Sequence, residues 1–309
     1  MALTLAEAAV LSQNDLQRGV IETFVQESPV LDRLPLMPIE GNAYAYNKEA
    51  TLPGVAFRDV NEAYTESTGT FVQATEGLKI LGGDADVDRF LVQTRGNLND
   101  QRAAQTRLKV KAAAYAFQNE FINGDVSVNV KGFDGLKKRL TGAQVIASAN
   151  SAASMNADDT ARNFFFDDLE TAIAAAKAGS GNAVIYTHRT LIAKIKSAGR
   201  RVGGVEMVKE DMTGKRVVMW NGIAVLDIGQ TAAGADIIPV TTGKTDLYVV
   251  RFGQDESDGA VTGLTNGGID VRDLGEIDAK PVFRTRIEFY CGLATFGGNA
   301  AARVSGITV

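Results

Sequence analysis

The chain of 309 residues predicts an α+β fold, and three observations carry that expectation. Helical and strand patterns interleave through the second half instead of alternating as regular strand–helix–strand units. One long helical pattern, Asn97 to Asn123, stands among extended segments. The composition, 45% hydrophobic and 22% charged, is that of a packed protein and not of a disordered one. A chain of this length makes one large domain or two moderate ones, each able to bury a core.

The first forty residues read as amphipathic pieces. Thr4 and Glu7 form a capping-box pattern opening a short helix to about Ser12. A second helix begins near Asn14 and places Leu16, Val20 and Phe24 on one face. Ser28-Pro29 reads as an N-cap with proline at the first helical position, opening a turn through Leu34 that Pro35 and Pro38 end. No compact core is expected within this segment, so it reads as an arm. It has neither the cationic start nor the long apolar run of a secretory signal, and no stretch of the chain approaches the ~18 apolar residues of a membrane span.

From Gly41 the pattern turns extended. Ala43–Tyr46 and Phe71–Thr75 have strand content, and between them Leu52 to Gly69 holds turn signals at Pro53-Gly54 but no core-forming run. A connection that long finds its partners on another molecule or stays disordered. Leu78 to Phe90 reads as a further strand. The Asn97–Asn123 helix carries two apolar stripes: Leu108, Ala112 and Tyr115 on one side, Val110, Ala113/Ala114, Phe117 and Phe121 on the other. Two stripes imply burial on more than one side of a helix roughly 40 Å long. Asn123-Gly124 stops it.

A polar, small-residue stretch, Thr141 to Asp159, marks a junction. Beyond it come a helix over Asn163–Lys177, a buried strand at Asn182–Tyr186 and a helix over Thr190–Ala198. Strands are then expected at Val217–Trp220, Ile223–Asp227, Ile237–Val240, Leu247–Phe252, Pro281–Tyr290 and Ala300–Ile307.

The residues offer little chemistry. Cys291 and His188 are the only cysteine and histidine, which forbids an intrachain disulfide and falls short of a Cys/His zinc site. Thirty-two Lys and Arg against 37 Asp and Glu give a net charge of −5, without the basic excess of a nucleic-acid-binding surface. The cations between Arg95 and Lys111 read as a solvated helix face. Gly243-Lys244-Thr245 lacks the first glycine of a phosphate-binding loop, since Ile238 stands there, and reads as a turn. Gly179-Ser180-Gly181 lies between helix and strand, the reverse of a dinucleotide fingerprint. Asp84, Asp86 and Asp88 open like a calcium loop, but Arg89 and Arg95 occupy its glycine and glutamate positions. In a strand they would share one solvated or intersubunit face. Gln254–Gly259 is an acidic hairpin tip. His188, at a strand–helix joint, reads as a cap, and Cys291 as a buried thiol.

In order of elements the whole chain resembles the major capsid proteins of tailed double-stranded-DNA bacteriophages, with the Hong Kong 97-like fold. Glu27 to Leu34 followed by the polar hairpin resembles the family's arm and extended loop, Asn97–Asn123 its spine helix, and Gly132-Phe133-Asp134-Gly135-Leu136 the segment leaving the spine. Trp220–Val225 resembles a strand entry in its axial domain, with Ala224 where that pattern often has proline. Thr285–Leu293 and Ala301–Ile307 resemble the closing strand and tail.

The resemblance implies an N-terminal arm at 1–40, an extended β-hairpin loop at 41–77, a peripheral domain from 78–150 and 281–309 with spine helix 97–123, and an α+β axial domain at 151–280. It further implies a structural protein, not an enzyme, with no cofactor or metal. Copies of the chain would form hexamers and pentamers of an icosahedral shell enclosing double-stranded DNA without sequence-specific contacts. The expected partners are a portal, decoration proteins and a separate scaffold if any, because the chain begins with its arm. The expected location is the virion, after assembly in the bacterial cytoplasm, with no membrane partner. Covalent crosslinking is not carried over, because Lys48, the only lysine before Glu76, lies at the loop base. Within the loop, Arg58, Asp59, Glu62 and Glu66 are expected to make charge contacts with a neighbouring subunit. Two other readings are an encapsulin-like shell holding protein cargo and a cytosolic α+β enzyme using His188 with a nearby acid.

Overall fold

The computed structural model describes residues 28–95, 101–149, 153–179, 182–202, 206–209 and 216–309. The helices expected within residues 4–24 and the first turn expected from Asn97 lie outside them. In chain order the elements are β1 (Leu36–Pro38), β2 (Ala43–Thr51), β3 (Thr70–Gly77), β4 (Lys79–Asp88), α1 (Arg89–Arg95), α2 (Gln101–Asn123), α3 (Leu136–Arg139) and β5 (Val145–Ala147). There follow α4 (Asp159–Ala175), β6 (Ala183–Thr187), α5 (Arg189–Val202), β7 (Glu206–Lys209), β8 (Arg216–Trp220), β9 (Ile223–Asp227), β10 (Lys244–Arg251), β11 (Val261–Glu276), β12 (Val282–Thr295) and β13 (Ala301–Thr308).

Seven strands in the order β5-β13-β10-β6-β9-β8-β7 form the larger sheet. Strand β6 lies inside it and is buried along its whole length, which its run Ala-Val-Ile-Tyr-Thr fits. Because side chains alternate across a strand, Ile185 and Leu247 face one core with α4 and α5, while Tyr186 and Tyr248 face another with α2. The second sheet, β1-β11-β12-β4, lays one face on α2. Phe117 bridges them, its ring 5.9 Å from Phe289 and 5.8 Å from Phe133. The segment leaving the helix folds straight back on its last turn: a Cβ at Gly124 would sit 2.2 Å from the Phe133 carbonyl oxygen, and one at Gly135 would sit 2.4 Å from that of Glu120. Only glycine fits at that approach.

The structure corrects several expectations. The segment Ser28–Ile39, expected to have no core of its own, packs into that of its own chain's body and not on a neighbour's. Ser28 Oγ accepts from Leu31 N at 3.2 Å, and the turn it caps buries Val30, Leu31 and Leu34 completely. Tyr186 donates its hydroxyl to Pro29 O at 3.1 Å, and β1 then pairs parallel with β11. Ile237–Val240 is no strand. Pro239 offers no amide, Ile237 N goes instead to Gly229 O, and Ile237 and Ile238 serve as core plugs.

The two larger sheets do not follow the order of the chain. β11 lies in the sheet with β4 and β12, whereas β13 lies between β10 and β5 in the larger sheet. Sheet membership is set by pairing partners far away in sequence, which local patterns do not record. The strand expected to run to Phe90 ends at Asp88, whose Oδ1 accepts from Phe90 N at 2.8 Å and opens α1.

Candidate assembly surfaces

Strands β2 and β3 pair with each other alone, from Ala43 opposite Gly77 to Glu49 opposite Phe71. Even-numbered residues near the base turn toward the body. Tyr46 is buried there, its ring meeting Phe296 edge-on at 4.9 Å and its hydroxyl donating to Thr295 O at 3.2 Å. Tyr44 donates to Glu256 Oε2 at 3.1 Å, so the acidic tip of residues 254–259 has a structural task at the hairpin base. Ile39, Leu264 and Ala294 complete this small core. Below it Arg139 grips Glu76 with both prongs of its guanidinium, Nη1 to Oε1 at 2.5 Å and Nη2 to Oε2 at 2.8 Å, the two side chains 14% and 20% exposed. Such a fork fixes orientation as well as adding attraction. Lys48 rests over the Tyr46 ring, 5.3 Å from its centroid, and burial, with the Arg139 charge behind it, holds its ammonium pKa below the usual lysine value.

Past the base, the hairpin's hydrogen bonds among the described residues are within itself. Thr51 and Thr70 hydroxyls meet at 2.6 Å where the strands end. In the tip beyond, Ser67 Oγ donates to Gly54 O at 3.0 Å. Three of the four residues expected to contact neighbours build a local turn. Arg58 Nη1 donates to Asp59 O and Glu62 O at 3.3 and 3.4 Å, and Glu62 Oε2 accepts from Asp59 N at 3.1 Å. The Arg58 guanidinium also lies 5.3 Å from the centre of the Tyr64 ring. Glu66 is exposed and outside this turn.

The sequence reading missed the apolar side of the same loop. Leu52, Val55, Phe57, Val60 and Tyr64 stand in solvent, with Phe57 fully exposed. Their signal was present as scattered large apolar residues in a segment without core periodicity. Apolar clusters of this kind, outside any core, mark interaction surfaces.

A third surface is the outer face of the four-stranded sheet. Arg286 forks onto Asp84 at 2.8 and 3.0 Å, and Arg284 onto Asp86 at 2.7 and 2.6 Å, directly across the β4–β12 ladder. On the side of the sheet that carries α2, Arg102 of that helix reaches Asp273 at 2.6 Å, and Arg89 reaches Glu276 at 3.2 Å. Asp84 and Asp86 are therefore satisfied within the chain, while Asp88 caps α1; among the described residues no acidic group forms a metal-binding cluster.

A projecting two-stranded hairpin, a spine helix under a four-stranded sheet, and a seven-stranded sheet with α4 and α5 on one face and α2 toward the other thus occur in one chain. The family described as Major capsid protein GP7 matches residues 12–162. Among solved structures, the SrpI encapsulin of Synechococcus elongatus PCC 7942 in its holo complex superposes with a TM-score of 0.67 at 20% identity, over 90% of this chain and 87% of that one. The capsid of a native GTA particle gives 0.61 at 14% identity, over 90% of each chain. A structure of Microbacterium phage Oxtober96 gives 0.59 at 13%, also over 90% of each. No curated protein matches in sequence. The chain has the Hong Kong 97-like fold.

The remaining candidate residues have structural partners. His188 Nδ1 accepts from Thr190 N at 3.2 Å at the start of α5, and its Nε2 lies 3.3 Å from Asp236 Oδ2. That acid also accepts from Gln230 at 3.0 Å and faces Arg189 at 3.2 Å, and the Gln230 hydrogen bond leads the influences that lower its pKa. A nearby acid thus exists beside a buried imidazole whose Nδ1 caps the helix and whose Nε2 faces that acid. Cys291 is buried in β12 against the spine, and burial pushes its thiol pKa up to about 12, far from a reactive thiolate. Thr241 to Lys244 is a tight turn opening β10, with Lys244 N donating to Thr241 O at 3.0 Å.

Proposed function

We propose that this chain is the major capsid protein of a tailed bacteriophage, forming the hexamers and pentamers of an icosahedral shell around double-stranded DNA. The observation that carries the reading is the hairpin: a rigidly seated base and an apolar, exposed tip, on a fold used for shells. The tip residues have too few contacts in their own chain to be there for its stability, and they are placed to lie on a neighbouring copy. Arg58, Asp59, Glu62 and Glu66 then shape and border that contact, the first three by holding the turn that presents Phe57 and Val60. A portal, a separate scaffold and decoration proteins are the further partners of such a shell. Assembly takes place in the host cytoplasm, the product is the virion, and the chain carries out no catalysis. The wall need not bind phosphate tightly, which suits its net charge of −5.

A protein-cargo compartment is the second reading, favoured by the similarity to the SrpI encapsulin. Electron microscopy of purified particles, combined with nuclease treatment, tests both. Shells holding nuclease-protected DNA support the capsid reading. Shells filled with a defined protein and lacking nucleic acid overturn it in favour of the compartment. Failure to form any particle larger than a small oligomer overturns both.

A further inference from the structure

The loop that follows the spine helix repeats, on the body, the inversion found at the hairpin tip. In Asp125-Val126-Ser127-Val128-Asn129-Val130-Lys131 the polar side chains tie the loop down. Asp125 accepts from Ser127 N at 2.8 Å and from Lys138 Nζ at 2.5 Å, and Asp134 accepts from Val126 N at 2.8 Å. Asn129 donates to Glu120 Oε1 and accepts from Lys131 N, both at 3.2 Å. The apolar side chains turn out. Val128 and Val130 are 86% and 72% exposed, more than any other large apolar residue outside the hairpin among the described residues. A loop held by its polar groups gains nothing from valines in solvent, and exposed apolar residues on a fixed frame mark a contact surface.

Position and charge point to what covers it. Lys79, at the start of β4, donates to Val130 O at 2.9 Å, so the loop sits beside the base of its own hairpin. The nine residues of β2 extend about 30 Å at the usual rise of a strand, which is the diameter of a small domain. A tip landing beside the base of the next hairpin would space copies by one domain width, and a head-to-tail contact of that kind can repeat around a closed ring. The charges are complementary too. Residues 52–69 carry Asp59, Glu62 and Glu66 against Arg58 alone. Lys79 and Lys131 border the two valines, and neither has a carboxylate partner among the described residues. Each surface is thus apolar area inside a rim of charge, and the two rims have opposite sign.

We propose that Val128 and Val130 are the seat on which a neighbouring copy lays its hairpin tip, with Phe57 and Val60 against the two valines and the acids of the tip toward Lys79 and Lys131. The inference rests on the reading of the tip as a contact between copies, and adds which part of the neighbour receives it. It is independent of what the shell encloses.

Two measurements on the full-length protein test it. Val60→Cys combined with Val128→Cys, oxidised in assembled shells, should form a disulfide between copies, with buried Cys291 a bystander. A non-reducing gel should then show a ladder of covalent multimers that neither single variant gives. No disulfide, or one within a single chain, overturns the proposal. Independently, Val128→Asp should lower the yield of shells at least tenfold with the melt unchanged. Shells lost with Phe57→Asp but kept with Val128→Asp overturn this seat and leave the reading of the tip intact. Shells kept with both overturn that reading as well. The cysteine pair keeps the test decisive if Val128→Asp fails to fold.

Discussion

The base and the tip of the β2–β3 hairpin are parts of one element built on opposite principles. The base spends large side chains inward: Tyr46 on Phe296, Tyr44 on Glu256, and Glu76 in the fork of Arg139. The tip turns its apolar residues outward and uses polar ones to fold itself, with Arg58, Asp59 and Glu62 closing the turn. An isolated two-stranded hairpin is marginal in water. The base supplies the order that the tip cannot, and the tip presents exposed apolar area that the base lacks. Stability and assembly are therefore separable along one hairpin, and substitutions at its two ends should have different symptoms.

Removing the tip gives the largest expected effect. Deletion of Ala56–Gly69 joins Val55 to Thr70 and leaves Leu52-Pro53-Gly54-Val55 as the connection, a length and composition suited to a tight turn. The variant should fold with a melting temperature within a few degrees of wild type and form no shells, as read by sizing and electron microscopy. Normal shells from this variant would show that the loop is dispensable.

Next come single changes within the tip. Phe57→Asp should lower the yield of shells at least tenfold without altering the melt, because it puts a charge where an apolar contact is expected. Glu66→Gln should cost far less, since a rim charge contributes little. If the order is reversed, the neighbour reads charge and not apolar area.

At the base the symptom should be lost stability. Phe296→Ala opens the aromatic cluster and should cost about 3 kcal/mol, the usual scale for a buried phenylalanine. Arg139→Ala leaves Glu76 without its fork at a site less than a quarter exposed, and about 2 kcal/mol is expected. Chemical denaturation of the unassembled protein measures both. Unchanged stability in either would mean that the base is not what seats the hairpin.

Much of this was legible in the sequence, for physical reasons that also explain what was not. Helical spacing exposed the spine, and the lack of any core pattern between Leu52 and Gly69 exposed the projecting loop. β11 escaped because Val261-Thr-Gly-Leu-Thr-Asn-Gly-Gly268 looks like a turn. Its strand character comes from pairing on both sides with β1 and β12, and a register shift between Thr265 and Ile269 absorbs the glycines. The burial of Val30, Leu31 and Leu34 escaped as well. The Ser28-Pro29 turn is local, but the core it enters is assembled from Phe117, Phe121 and Tyr186 far along the chain. At the tip, the four charged residues drew attention because charge density is easy to see. The apolar residues beside them became informative only once they were found in solvent.

The mildest expected effect concerns pH and the β4–β12 charge ladder. Hydrogen bonds from Arg286 and Arg284 hold Asp84 and Asp86 below the ordinary carboxylate pKa of 3.8, and Lys138, with Ser127, holds Asp125 down to about 2. A carboxyl with a folded-state pKa below its unfolded value adds stability that is fully present above the unfolded value and is lost as pH falls through the folded one. The contribution of these groups should therefore be flat from neutral pH to about 5 and decline from about pH 4 toward pH 2. All three are solvent-exposed enough for salt to screen them, so the decline should be shallow and smaller at high ionic strength. Asp84→Asn should make the melting temperature less dependent on pH within that window and leave the tip-driven yield of shells at neutral pH close to wild type. A variant that lost shells at pH 7 would tie this outer sheet face, and not only the hairpin tip, to contact between subunits.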